Sequence, residues 1–284
     1  MLEIDIHKQL DSGKESFVLE AKLQVQGGEI VALMGPSGAG KTTLLQILAG
    51  LSAADRGSVK LKNRSYQDTA NQTFLKPQDR QIAYIFQEGG LFPHMTLEEN
   101  LRFALPPGTS SETLETNLHK LDLADMKQRR PDQLSGGQRQ RAVLLRAMLQ
   151  QPHMLLMDEP LSAQDEARRA QLGHLIQTWI RPLHIPVIWV SHDAEEVLNV
   201  ADRVVYMEEG KIQRIDSPEN ILLTPPTETL RGRVSEVQKN LIIVQIGRQQ
   251  LKLPYQEKVE KGVWIDVFPL SGTYRITKSP STDT

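Results

Sequence analysis

Residues 30–43 read IVALMGPSGAGKTT: five uninterrupted apolar residues, Ile30–Met34, run into a glycine-rich turn that ends on a lysine and two threonines. An apolar run of that length suits a strand buried on both faces, as strands of parallel sheets are. The turn Gly35-Pro36-Ser37-Gly38-Ala39-Gly40-Lys41-Thr42 fits G-x-x-x-x-G-K-[ST], and residues 41–49 behind it carry helical spacing. Glycines let successive backbone N–H groups close around a β-phosphate, and the helix dipole favours the same negative charge. Lys41 is placed to reach the β- and γ-phosphates, Thr42 to ligate Mg²⁺, and Thr43 to complete the loop. The stretch predicts a strand–loop–helix unit that binds a nucleoside triphosphate.

Outward from it, short apolar runs recur at Ile82–Phe86, Met154–Met157, Val187–Val190 and Val204–Met207. Helical patterns alternate with them at 136–150, 165–181 and 193–200, which predicts an α/β core with a mostly parallel sheet. Between Gln87 and Pro152 strand signals vanish, and Thr96 with Glu99 forms a capping box ahead of Asn100–Leu105. Residues 88–152 therefore read as a helical subdomain inserted into the core. The segment LLTPPTETL (222–230) reads as a linker. Beyond it the pattern alternates as strands do, which predicts domains at 1–222 and 229–278, the second a small β-barrel-like module, with a disordered tail at 279–284.

Two further stretches complete the chemistry. Met154–Asp158 is an apolar strand ending in a carboxylate, the arrangement that holds Mg²⁺ from the far side of the phosphates; Glu159, one position on, can orient or deprotonate a water. Residues 134–138 read LSGGQ, directly before the helical RQRAVLLRAML. Ser135 offers an N-cap hydroxyl, and Gly136 and Gly137 offer exposed N–H donors suited to a γ-phosphate. One phosphate loop already encloses its own nucleotide from one side. The second loop makes sense if it serves the nucleotide of another copy, with two chains head-to-tail and an ATP at each shared site.

Taken together, the phosphate loop, Gln87, LSGGQ, MLLMDEP (154–160), SAQD (162–165) and VSHD (190–193) resemble an ABC-type ATPase cassette, a P-loop NTPase, over residues 1 to about 220. The resemblance implies ATP and Mg²⁺ as cofactors, with Gln87 sensing Mg²⁺ and the membrane partner. It implies His192 as a switch residue at the γ-phosphate, Gln138 within the signature loop, and Asp165 as a contact across the dimer. Gln164 stands where the family has leucine. The family stacks adenine on an aromatic residue ahead of the loop. Phe17 is the nearest candidate, and since it alternates in phase with Leu19, Ala21 and Leu23 it is equally readable as a core residue.

The segment 77–104 and the appended module (OB- or TOBE-like) resemble the importer branch. Exporter cassettes commonly lack the module, and soluble relatives carry two cassettes or long coiled coils. MLEIDIHKQL and GGLFPHMTLEENLRF look most like molybdate-type subunits, with sulfate, polyamine and sugar importers sharing much of the pattern. The implied partners are a second copy, integral membrane permease subunits docking near Leu91-Phe92-Pro93, and indirectly a solute-binding protein. The implied location is peripheral, on the cytoplasmic face of the bacterial inner membrane. Ser235, Lys239 and Asn240 offer donors for an oxyanion, with Glu236 among them.

Composition agrees with that class. The chain has 284 residues, 39% hydrophobic and 24% charged, with net charge −2, which gives no nucleic-acid footprint. The absence of cysteine excludes disulfides, thiol catalysis and cysteine-ligated zinc. MLEIDIHKQL alternates like a strand and lacks the apolar stretch of a signal peptide, and no run approaches the roughly 18–20 apolar residues of a membrane-spanning helix. Any membrane crossing is expected to belong to another subunit.

Overall fold

The computed structural model describes the chain except residues 12–15, 87–89, 160–172, 174–175, 223–229, 239–240, 247–248, 255–258, 271–272 and 279–284. Gln87, Gln164, Asp165, Lys239 and Asn240 lie outside the described residues. Two compact units divide between Pro218 and Glu219.

The first unit is organised by one eleven-stranded sheet. Its strands are β1 (Leu2–Asp11), β2 (Ser16–Val25), β3 (Ile30–Met34), β4 (Arg56–Leu61), β5 (Arg64–Asp68), β6 (Thr73–Phe74) and β7 (Ile82–Ile85), followed by β8 (Met154–Asp158), β9 (Val187–Val190), β10 (Arg203–Glu208) and β11 (Lys211–Asp216). They lie in the order β6-β5-β4-β1-β2-β11-β10-β3-β9-β8-β7. Half of this corrects the expectation of a mostly parallel sheet. β10, β3, β9, β8 and β7 pair in parallel, whereas β2, β1, β4, β5 and β6 form an antiparallel ladder. The reason is legible in burial. Every residue of β3, β8 and β9 is buried, while β4 alternates between buried and partly exposed positions, so it needs cover on one face only.

Helices α1 (Lys41–Ala49) and α4 (Gly136–Leu149) cover the two faces of the parallel half. Leu44, Ile47 and Leu48 of α1 pack with Leu33, Leu156 and Val190, and Leu144 and Ala147 of α4 pack with Leu155, Met157 and Trp189. Full burial of each large aliphatic side chain contributes about 1.5–3 kcal/mol. α4 has a second apolar face: Leu145 and Leu149 join Leu97 and Leu101 of α2 (Leu97–Ala104) and Leu114 and Leu118 of α3 (Ser111–Lys120) in a separate core. A helix buried on two sides ties this helical layer to the sheet.

The second unit is an antiparallel sheet of β12 (Leu230–Gln238), β13 (Leu241–Ile246), β14 (Gln249–Pro254), β15 (Trp264–Leu270) and β16 (Thr273–Lys278), in the order β14-β13-β12-β15-β16. Val234, Ile242, Val244, Leu253, Ile265 and Val267 form its core. Ser235 donates its hydroxyl proton to the carbonyl of Ile243 at 3.0 Å. That proton is committed to the sheet, which removes Ser235 as the free donor expected from sequence.

Candidate nucleotide site

β3, β8 and β9 are adjacent and parallel, so their carboxyl ends open on one edge, where ligands of such sheets bind. The phosphate loop follows β3. Gly35 has φ 136°, and a Cβ there would lie 1.9 Å from the Met207 carbonyl oxygen, so no side chain fits. Gly40, at φ 93°, is the N-cap of α1 and supplies no side-chain cap. Thr96, Ser110 and Ser135 do cap α2, α3 and α4. The first-turn N–H groups of α1 are therefore left for an anion.

Lys41 donates to the carbonyls of Gly35 at 2.7 Å and Pro36 at 2.8 Å. Burial lowers its pKa, and the charges of Glu159 and Asp158 push it back up, so the lysine senses both carboxylates at the end of β8. Thr42 Oγ1 donates to Asp158 Oδ1 at 3.3 Å. Asp158 is only 8% exposed, and its other oxygen accepts from the Tyr84 hydroxyl at 3.2 Å. Burial, reinforced by the charge of Asp158 and this bond, holds the Tyr84 phenol well above its ordinary pKa.

Among the described residues no three His, Asp or Glu side chains gather into a metal cage. Mg²⁺ does not require one: it takes one or two carboxylates together with phosphate oxygens and water. A hydroxyl and a carboxylate oxygen facing each other beside a phosphate loop are hard oxygen donors of the right kind, so Thr42 and Asp158 fit it.

Glu159 adopts φ 44°, a left-handed conformation uncommon outside glycine, and its N–H donates to the Val190 carbonyl at 3.1 Å. Its Oε2 lies 3.6 Å from His192 Nδ1, and the His192 side chain is 68% exposed. The backbone beside that histidine is pinned. Ser191 Oγ accepts from the Asp193 N–H and donates to Glu196, while Asp193 caps the helix Ala194–Val200.

Phe17 is half-buried on β2. Leu19, two residues on and so on the same strand face, comes within 3.1 Å of where a Gly40 Cβ would be; the Phe17 ring comes within 2.9 Å of the Cβ position of Gly210. The aromatic ring thus sits on the loop side of β2.

The signature serine lies elsewhere. Ser135 Oγ accepts from the Gln138 N–H at 3.3 Å, and Gln138 Oε1 accepts from the Ser135 N–H at 2.9 Å. Gly136 and Gly137 form the first turn of α4. Among the described residues neither Ser135 nor Gln138 bonds to the phosphate loop, and both close on their own capping box instead.

The expected docking tip is modified by packing. Leu91 and Phe92 are half-buried and only Pro93 is exposed. Phe92 lies under the Arg146 guanidinium, 4.2 Å away, and edge-on to Phe103 at 5.2 Å. The fully buried Asn100 accepts from the Phe92 N–H and donates to the carbonyls of Phe92, Met95 and Thr96, which fixes this loop. The outward-facing aromatics are instead Phe103, 66% exposed, and Phe86, 48% exposed. Beside them Tyr84, Phe86, Gly90, Phe92, Val143 and Arg146 line an open cavity of about 250 Å³. Sequence reading missed Tyr84, Asn100 and the exposed Phe103. Only Asn100 carried a signal, a polar residue on the apolar stripe of α2.

The sequence matches the ABC transporter family over residues 18–162. It is 38% identical over 225 residues to the molybdenum import ATP-binding protein ModC of Mannheimia succiniciproducens, covering 79% of this chain and 62% of that protein. It is 37% identical over 265 residues to the sulfate/thiosulfate import ATP-binding protein CysA of Halalkalibacterium halodurans, covering 85% of this chain and 70% of that one. The chain thus spans less than two thirds of the first relative's length. A dimeric ATP-binding cassette solved in a post-hydrolysis state with ADP and Pi is 27% identical, with a TM-score of 0.62 over 77% of this chain and 99% of that one. Fold, phosphate loop and similarity agree: the chain belongs to the ABC transporter family and carries its nucleotide-binding cassette.

Proposed function

We propose that the chain is the ATP-hydrolysing subunit of a molybdate or tungstate importer, working as a head-to-tail pair beneath membrane permease subunits. The observation that carries this is the meeting of Lys41, Thr42, Asp158, Glu159 and His192 at the carboxyl ends of three adjacent strands. Lys41 and the first-turn N–H groups of α1 hold the β- and γ-phosphates. Thr42 and Asp158, with Gln87, would hold Mg²⁺, whose charge would offset that of the phosphates. Glu159 takes the proton of the attacking water, and His192, 3.6 Å away, orients that carboxylate and touches the γ-phosphate. Phe17 stacks on the adenine. Ser135, Gly136, Gly137 and Gln138 of a second copy close the site from the other side, with Asp165 at the same interface.

The cavity between Phe86 and Arg146 is the seat for a helix of a membrane subunit, with the exposed Phe103 edge-on to Phe92 of its lining. Among the described residues no helix is long and apolar enough to cross a membrane. The proposed place of the subunit is peripheral, on the cytoplasmic face, as in the import ATP-binding reading. A solute-binding protein would deliver the cargo. The similarity to a molybdenum import protein supports molybdate, and the similarity to a sulfate import protein supports sulfate as the second reading. Uptake of labelled molybdate and sulfate by cells lacking the gene tests both. Wild-type protein should restore molybdate uptake; Phe103→Asp should not, while keeping its ATPase activity when purified. Restoration of sulfate uptake alone would transfer the cargo to the second reading.

A further inference from the structure

One carboxylate in the site is held from two sides. Thr42 of α1 donates to Asp158 Oδ1 at 3.3 Å, and Tyr84 of β7 donates to Oδ2 at 3.2 Å. The pairing is built into the sheet. Tyr84 stands opposite Leu156 in the parallel register of β7 and β8, and Asp158 follows two residues later on the same face. A phenylalanine would fill the same space and leave Oδ2 of a carboxylate that is only 8% exposed without this donor. The Tyr84 ring also reaches outward. It stacks on Phe86, with ring centroids 4.1 Å apart and planes 28° apart, and both residues border the cavity shared with Phe92 and Arg146.

We propose that Tyr84 is a positioning residue for nucleotide hydrolysis: its hydroxyl fixes the Asp158 carboxylate in the orientation that receives Mg²⁺, and its stack on Phe86 ties that orientation to the docking cavity. This rests on the reading of Asp158 as the metal-facing carboxylate. A carboxylate free to rotate about its last bond must be ordered each time the metal binds; one held by two hydroxyls is ordered beforehand. The linkage gives the cavity's occupant a short physical route to the metal site, through two stacked rings and one hydrogen bond.

The test is binding of a non-hydrolysable ATP analogue to the purified full-length protein, measured by calorimetry across a Mg²⁺ titration. Tyr84→Phe should raise the Mg²⁺ concentration for half-maximal tightening about three- to tenfold, the scale of one ordinary hydrogen bond lost. Its affinity for the analogue in EDTA should stay at the wild-type value, whereas a general packing defect would weaken both. Phe86→Ala should shift the Mg²⁺ requirement in the same direction by a smaller factor. A Tyr84→Phe midpoint equal to wild type overturns the positioning role. A shift in Tyr84→Phe with none in Phe86→Ala overturns the link to the cavity. If wild-type binding ignores Mg²⁺, the reading of Asp158 itself fails, and this proposal with it.

Discussion

Glu159 combines two features that local sequence shows only by half. The carboxylate after an apolar strand is visible in the sequence; the left-handed backbone, φ 44°, is not. Such a conformation costs on the order of 1–3 kcal/mol for a non-glycine residue and persists only where the surroundings impose it. Here the parallel neighbour β9 imposes it, through the bond from the Glu159 N–H to the Val190 carbonyl. Glutamine has the same shape and accepts the same backbone, but its amide cannot take a proton from water. Glu159→Gln should therefore keep nucleotide binding and lower turnover by about 10² or more, the scale of a lost general base. Single-turnover hydrolysis measures this, and a rate within a few-fold of wild type would remove Glu159 from that role. Tyr84 was invisible for another reason. Its partner Asp158 lies 74 positions away, and the bond between them exists only because β7 and β8 pair in one register.

Elements of the fold divide in the same way. β3, β8 and β9 are legible because burial on both faces selects continuous apolar runs. β4, β5 and β6 are not: RGSVKL and RSYQD mix charge and apolar residues, and their strand state follows from pairing in series, β4 on β1, β5 on β4 and β6 on β5. The helix that carries the phosphate loop is held at its far end by a residue no pattern announces. Arg80 is fully buried and donates to the carbonyls of Ile47 and Leu48 at the end of α1, and to those of Leu75 and Tyr66. Burial holds its pKa down to about 10, still high enough to keep the charge at neutral pH. Gly50 makes room, since a Cβ there would lie 2.6 Å from Arg80 Nε. Arg80→Met should leave four carbonyls without that donor, a loss of about 3 kcal/mol or more. Amide exchange along Leu44–Leu48 should then accelerate by about 10². Wild-type exchange rates would show that α1 needs no such anchor.

At the scale of the whole molecule, the two phosphate-binding loops decide the working unit. In one chain the phosphate loop lies at the carboxyl end of β3, while Ser135 caps α4, whose second face packs into the α2–α3 layer. Ser135 is exposed, and its hydroxyl bonds only within its own capping box among the described residues. A γ-phosphate held by one chain's Lys41 can be met by such a turn if a second chain presents it. Ser135→Arg fills the turn with a long cation, and Lys41→Ala removes the phosphate contact; each pure protein should be nearly inactive. In a mixture the mutated groups fall on different chains. One of the two shared sites in each mixed pair then combines an intact Lys41 with an intact Ser135. Mixing equal amounts should thus recover up to about a quarter of wild-type ATPase activity: random pairing makes half the dimers mixed, and one site in each of those is whole. Recovery should fall with dilution as pairs separate. If the mixture stays as inactive as its components while the mixed pair forms, the two loops do not share a nucleotide. Wild-type activity in pure Ser135→Arg would place the whole site within one chain.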